Sequence, residues 1–497
     1  MNRIGSTVME NTKKYKIRFL PLLVALGLLA GCSTNPVTGG SEFTGLMSPQ
    51  QEAQIGAQQH PEIIKEYGGV YQDRALQAYV REVGSKVAPF SERPDTHYTF
   101  TLLDSPMVNA FALPGGYVYV TRGTLAVADS EAQLAAVLGH EIGHVAARHQ
   151  ASRYSSGVVT SLGAAILAAA VGSPAVSDAL SVGTNLYMSS YSRDQERQAD
   201  TLGVRYLGRA GYDPAAMSGF LRGMDIYLND EAQALGEEKP DMSYFSSHPN
   251  TGERIAQAAQ EAQVWQAGNQ KGANVVAPDR YLRAISGMTF GDGAAQGFAR
   301  DGHFYHPDIG FVLDIPRGFN VKNAPEALIF EGPQNTLVLL DMDDNKTFGG
   351  VDRYMRDQWL EGSNPAPVEM IAIHGHPAAT AQLKGALDNR PVELRLVAME
   401  WGGKMIRLQI VIPQRSSAQV VDDLKRMTYS LRGMSADERK RIRPYRLRVV
   451  TAMTGDTQES LARKMEMRDN PLLWLRAING LTPSEQIISG QKYKVVE

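Results

Sequence analysis

The chain reads as a multidomain protein: a mainly α-helical α+β domain, then an α+β sheet domain, then a small strand-helix-helix-strand (βααβ) module. Three observations predict this. The 497 residues exceed what one hydrophobic core organises, so two to four domains are expected. Long helical patterns fill 48–270 around a single strand region, whereas strand patterns dominate 295–435 before a closing helix. Finally, 446–497 carries strand patterns at both ends and turn-bounded helices between them. A hydrophobic content of 43% and a formal charge of −3 describe ordinary globular domains and exclude a strongly basic nucleic-acid binder, so no nucleic-acid partner is expected.

At the N-terminus, Lys13, Lys14, Lys16 and Arg18 precede an apolar run from Phe19 to Ala30 that is too short to span a bilayer as a stable helix. That is the layout of a secretory signal over 1–31. The run ends in Leu29-Ala30-Gly31-Cys32, which resembles a bacterial lipobox. The resemblance implies a lipid anchor at Cys32, the only cysteine, with ordinary cleavage or an uncleaved anchor as alternatives. Ser33, where an aspartate would redirect sorting, implies a lipoprotein on the periplasmic face of the outer membrane, the soluble periplasm being the alternative. Residues 32–47 are rich in turn formers and read as a tether.

Ser48-Pro49-Gln50-Gln51 marks a helix start, with an N-cap, a proline at the first helical position and a glutamine three residues after the cap. Tyr98–Leu103 and Tyr117–Thr121 alternate like strands. The link between them turns at Pro114-Gly115-Gly116 and offers an edge, Asn109, Ala110 and Phe111, to an extended peptide. Ser130-Glu131-Ala132-Gln133 predicts a capping box opening a helix with Leu134, Leu138, Ile142 and Val145 on one face. The apolar segment Val158–Val171 reads as a buried helical hairpin, or else as a lid or a membrane-leaning surface.

The later domains carry their own signals. In 295–435, a strand runs into Ile315-Pro316-Arg317-Gly318-Phe319 and a helix from Ala418 to Leu431 closes the region, an order that resembles sheet domains of the PsbP type. In 446–497, Val449-Val450-Thr451, Gly455-Asp456-Thr457 and the terminal Tyr493-Lys494-Val495-Val496 resemble a LysM module. That resemblance implies peptidoglycan binding, although Gln458 stands where a large apolar residue is usual.

The chemistry concentrates at His140-Glu141-Ile142-Gly143-His144. Two imidazoles four residues apart share a helix face one turn from each other, close enough to hold one ion. Zinc so held keeps a position for water and acidifies it, and a carboxylate outside the ligand set takes the proton, which assigns Glu141 as general base. Downstream, Glu196 and Asp200 stand one helical turn apart. Glu196 would complete a two-histidine, one-glutamate set for one Zn2+ per chain, and Asp200 would accept the spare ring N–H of a ligating histidine. An exposed charged helix is the bland alternative for this pair.

Residues 45 to 260 resemble the CAAX prenyl endopeptidase (Ste24-like) family of zinc metallopeptidases, peptidase family forty-eight, in its soluble periplasmic branch. The resemblance rests on Asn109-Ala110-Phe111-Ala112 with its Pro-Gly-Gly, on the extended motif His140 to His149, on Ser192-Arg193 ahead of Glu196 and Asp200, and on His248-Pro249 with Arg254. It implies a zincin (gluzincin) fold and cleavage of misfolded or misassembled envelope proteins. It also implies that His248 can occupy the fourth position on zinc and hold the enzyme latent, a structural loop histidine being the alternative.

Arg254 would brace that loop or stabilise an oxyanion. His149, five residues past His144, should point about 140° away around a continuous helix and serve only structure. His303, His306, His374 and His376 read as exposed histidines rather than a second metal site. A different class of function also fits the same sequence, a peptidoglycan-binding scaffold or chaperone with structural zinc.

Overall fold

Helix starts follow the local capping signals. The computed structural model describes residues 32–34, 41–44, 47–156, 190–235, 248–249, 252–268, 274–324, 327–347, 349–361, 367–387 and 389–497. The expected signal, 1–31, and the apolar segment 158–171 lie outside the described residues. Ser48 and Gln51 exchange reciprocal hydrogen bonds at the start of helix Pro49–Glu66. At Ser130 the box is only half made. Its hydroxyl accepts from the Gln133 N–H, while the Gln133 side-chain oxygen Oε1 accepts from the Asp129 N–H instead.

Two units make up the chain, one comprising 1–65, 69–288 and 447–497, the other 66–68 and 289–446. In the first, β1 (Cys32–Thr34) pairs antiparallel with β2 (Ser41–Phe43) inside the stretch expected to be a tether. A three-stranded sheet follows from β3 (Thr99–Leu103), β4 (Ala110–Leu113) and β5 (Tyr117–Thr121), in the order β3-β5-β4. The strand β5 lies parallel to β3 and antiparallel to β4, so β4 is an edge.

Beside this sheet runs the motif helix, Glu131–Ala146, with every residue buried except Gln133. The expected one-sided apolar stripe is therefore a helix buried on all sides, as its run of Ala, Leu, Val and Gly permits. Glu131 anchors its first turn, taking hydrogen bonds from Tyr79 and Tyr212 and pairing with Arg280. No helix among the described residues is long and apolar enough to cross a membrane.

The second unit is built on strands β6 (Phe298–Arg300), β7 (His303–His306), β8 (Phe311–Asp314), β9 (Asn320–Asn323), β10 (Leu328–Gly332), β11 (Thr336–Asp344), β12 (Glu369–Ile373), β13 (His376–Leu387), β14 (Arg390–Trp401), β15 (Lys404–Pro413) and β16 (Arg432–Gly433). Seven of them form an antiparallel sheet in the order β12-β13-β14-β15-β11-β10-β9, and β16-β8-β7-β6 form a second. Alternation along β15 buries Ile406, Leu408, Ile410 and Ile412. Val420, Leu424 and Met427 of helix Ala418–Ser430 belong to the same core, while Val351, Tyr354 and Met355 cluster with Ala379 and Ala398 in another.

The chain returns to the first unit through β17 (Leu447–Thr451), antiparallel to β18 (Lys492–Val496), with helices Gln458–Ala462 and Pro471–Asn479 between them. The unusual Gln458 is buried, and its amide donates to the carbonyls of Thr482 and Glu485 while its oxygen accepts from Arg476. Hydrogen bonds thus replace apolar packing at that position.

This βααβ segment is fastened to helices Arg122–Val127 and Ala216–Leu235 of the first unit. Lys494, 1% exposed, donates to the carbonyls of Ala126, Val127 and Ala128 and pairs with Asp129, satisfying the C-terminal end of helix Arg122–Val127. Asn470 reaches the Ala234 carbonyl, and Trp474 packs edge-on to Tyr227. Lys494→Met is expected to strand buried carbonyls and Asp129 and to destabilise the first unit by about 2 kcal/mol or more, read as a lower urea midpoint.

Candidate metal centre

The motif helix meets a second helix, Arg193–Arg209, at a crossing lined by small residues. A Cβ on Gly143 would come within 3.2 Å of the Ala199 carbonyl oxygen, and one on Gly203 within 3.2 Å of the His140 backbone nitrogen. Glycine at these positions lets the backbones approach, so that Glu196 and Asp200 reach the two motif histidines. Ser192 and Gln195 close a full capping box at the start of this second helix and fix the turn that carries Glu196.

Four buried side chains converge there: His140, His144, Glu196 and His248. Nε2 of His140 lies 3.0 Å from Nε2 of His144 and 3.2 Å from Nδ1 of His248. Glu196 closes the figure at 3.6 Å from His140 Nε2, 3.4 Å from His144 Nε2 and 2.9 Å from His248 Nδ1. Four N and O donors on one tetrahedral zinc stand about 3.3 Å apart, so the spacing and the donor chemistry both fit that ion.

Glu141 sits outside this set. It is 0% exposed, its Oε1 lies 3.6 Å from His248 Nε2, and neither oxygen has a hydrogen-bond partner among the described residues. Burial, partly offset by His248 and His140, raises its pKa. Asp200 behaves differently. Burial would raise its pKa, but hydrogen bonds from Arg254 and His140 overcome that and hold the carboxyl below its ordinary range. Burial acts likewise on Glu196 and is outweighed by His248 and His144, leaving it well below that range.

Asp200 Oδ1 is 2.9 Å from His140 Nδ1, the hydrogen bond expected from the one-turn spacing. Arg254, 3% exposed, forks onto both oxygens of Asp200 at 2.7 and 2.8 Å, lies 2.7 Å from Glu196 Oε2, and donates to the carbonyls of His248 and Pro249. Its guanidinium therefore joins the His248 loop to two acidic groups of the centre.

The geometry departs from expectation at His149. The motif helix ends at Ala146, and Arg148 takes a left-handed conformation, φ 57°, held by its bonds to Glu52 and the Met47 carbonyl. The chain therefore turns where a continuous helix was assumed, and His149 swings back until its Nδ1 is 2.8 Å from Nδ1 of His144. Burial lowers the His149 pKa to about 4. Tyr191, which no sequence pattern marks, stacks on the His144 ring with centroids 3.7 Å apart and receives a hydrogen bond from Gln150.

Asn109, Ala110 and Phe111 lie at and beside the edge strand β4, whose Ala112 carbonyl accepts from Gln150. Outside the first unit, His303 pairs with Asp314 at 3.3 Å, and His306 accepts from the Ile309 N–H. Neither joins a group able to hold an ion among the described residues.

The model of peptidase family M48 matches residues 74–262, a span that holds every residue of the centre. Over 233 residues the chain is 30% identical to the beta-barrel assembly-enhancing protease of Escherichia coli, covering 45% of this chain and 46% of that protein. Over 241 residues it is 30% identical to the mitochondrial metalloendopeptidase OMA1 of Schizosaccharomyces pombe, covering 46% of this chain and 67% of that protein. It spans about half the length of the bacterial relatives it matches. Among solved structures, cyanobacterial PsbP (CyanoP) from Synechocystis matches at 11% identity and a TM-score of 0.21, over 28% of this chain and 91% of that one.

Proposed function

This chain belongs to peptidase family M48, a family of zinc metalloendopeptidases, and from that premise we propose that it hydrolyses peptide bonds of misfolded or misassembled cell-envelope proteins, with Glu141 as general base. The observation that carries the mechanism is the Glu141 carboxylate, buried, without a hydrogen bond among the described residues and placed beside the donor set. Zinc, when bound, supplies Lewis acidity that polarises the scissile carbonyl and acidifies water. Glu141 takes the proton from the attacking water and delivers it to the leaving amine. Asp200 holds the His140 ring so that Nε2 presents its lone pair. An extended substrate would add to the edge strand near 109–121, main chain to main chain.

The test uses the full chain. It should purify with one zinc and degrade an unfolded substrate such as casein, and chelation should abolish the activity until zinc is restored. Zinc without any cleavage, in wild-type and His248-substituted protein alike, would overturn the endopeptidase reading.

His248 supports a latent resting state, because its Nδ1 lies among the three donors where a fourth position is needed for water. His248→Ala is expected to raise casein degradation several-fold. Unchanged or lower activity removes the latch. The same closed set of four donors favours a second reading, a scaffold with structural zinc. Protein in which Glu141→Gln leaves cellular function untouched would support it.

Export is the setting that the sequence of 1–32 supports, with a lipid anchor at Cys32 on the periplasmic face of the outer membrane. The βααβ fold of 447–497 is compatible with a LysM-like module that binds peptidoglycan. Pull-down on purified sacculi checks this, and the fold's attachment through Lys494 would then hold the protease against the wall.

A further inference from the structure

We propose that His149 is a positioning residue of the metal centre. Together with Gln198 it fixes the tautomer of His144, as Asp200 does for His140. The inference rests on the reading of the four donors as a zinc site and goes beyond it in assigning a second, differently built support.

The polarity of the relay follows from one atom. His149 Nε2 lies 2.6 Å from the Gln198 side-chain oxygen, which only accepts, so Nε2 carries the hydrogen. His149 is 0% exposed, an environment that favours the neutral ring, and a neutral imidazole carries a single N–H. Its Nδ1 is then an acceptor. The 2.8 Å contact to His144 Nδ1 can be bridged only by a hydrogen on His144, and this leaves the Nε2 lone pair of His144 facing the other donors. With Nδ1–H directed to Asp200 in His140, both motif histidines present Nε2 to the same point.

The device is built by the kink described above. Arg148 at φ 57°, tied through Nε to Glu52 at 2.9 Å and through Nη1 to Thr44 at 3.2 Å, turns the chain so that His149 returns to the site. Gln198 enters from the Arg193–Arg209 helix, two residues past Glu196, so one helix supplies a ligand and both ends of the outer hydrogen bonding. The two supports differ in strength. An anionic Asp200 draws on the His140 proton more strongly than a neutral imidazole draws on that of His144, so His144 is the weaker donor and the one whose tautomer most needs the relay.

Three variants of the full chain test this: His149→Leu, His149→Asn and Gln198→Leu. Zinc affinity is read by competition with a chromophoric chelator, and the visible absorption of the Co2+-substituted protein reports the ligand field. His149→Leu is expected to weaken zinc binding about 10- to 100-fold, the range for loss of such outer partners. His149→Asn, whose Oδ1 stands where Nδ1 stood and accepts the same hydrogen, should stay within about 3-fold of wild type and keep the Co2+ spectrum.

Gln198→Leu frees the polarity of His149 and should fall between these two. If His149→Leu fails to fold, judged by circular dichroism of the metal-free protein, Gln198→Leu and His149→Asn decide. Wild-type affinity in His149→Leu or Gln198→Leu, or equal losses in the leucine and asparagine variants, overturns the relay while leaving the centre standing. A wild-type chain that takes up no zinc overturns the centre and the relay with it.

Discussion

Glu141→Gln is expected to lower the rate of casein cleavage by about 10²- to 10⁴-fold while leaving zinc content unchanged. The substitution keeps size and removes only the ability to take a proton. Glu141 is not one of the converging donors, so the ion should bind as before, and chelator competition should show affinity within a few-fold of wild type. Folding should not suffer. A carboxylate that is fully buried with no hydrogen bond among the described residues is an expense to the native state, and burial raises its pKa for the same reason. Metal-free stability should therefore be equal or higher in the variant. Retained cleavage would remove Glu141 from the mechanism, and lost zinc would place it among the ligands.

Arg254→Met should be the most destabilising single change at the centre. The guanidinium forks onto Asp200, lies against Glu196 and holds two loop carbonyls, all in the interior. Removing one partner of a buried ion pair leaves an uncompensated charge, and such losses run to about 3–5 kcal/mol. Urea unfolding of the metal-free protein reads this. Lysine should rescue little, since it cannot reproduce the two-pronged geometry.

The variant also has a pH signature. Asp200 is depressed in the native protein, so it contributes stability above its ordinary value of 3.8 that is lost as pH falls through its native value. Without Arg254 burial goes largely unopposed, the carboxyl rises, and acid unfolding should begin at higher pH than in wild type. An unshifted acid limb would mean that Asp200 is held down by His140 alone.

The parts of the centre legible in the sequence are those set by helical periodicity. His140 with His144, and Glu196 with Asp200, are each separated by one turn, and a turn is a local rule. His149 escapes this rule because the left-handed Arg148, which no residue type announces, ends the helical periodicity before it; the kink depends on Glu52, far away in the chain. The Arg254 fork and the stacking of Tyr191 on His144 are contacts between distant segments, which periodicity cannot express. The same holds at the edges of the fold. Alternation makes β3 and β5 legible and the Pro-Gly-Gly link between them offers the β4 edge, whereas nothing local announces the close helix crossing at Gly143 and Gly203. The βααβ order of 447–497 is legible, but its attachment to helix Arg122–Val127 is not, because a buried Lys494 reads as one more surface lysine.

That lysine has a consequence for how the protein is made. The helix Arg122–Val127 emerges early, yet its last carbonyls wait for a side chain synthesised more than three hundred residues later. The sequence of 289–446, the bulk of the second unit, lies between the two in chain order. The helix Arg122–Val127 should thus remain incompletely consolidated on the nascent chain, and protected amides should appear in it only after β18 has been delivered. The first unit would then gain its final shape only once the C-terminal strand is complete, which pulse-labelled hydrogen exchange on chains arrested before and after residue 494 would reveal.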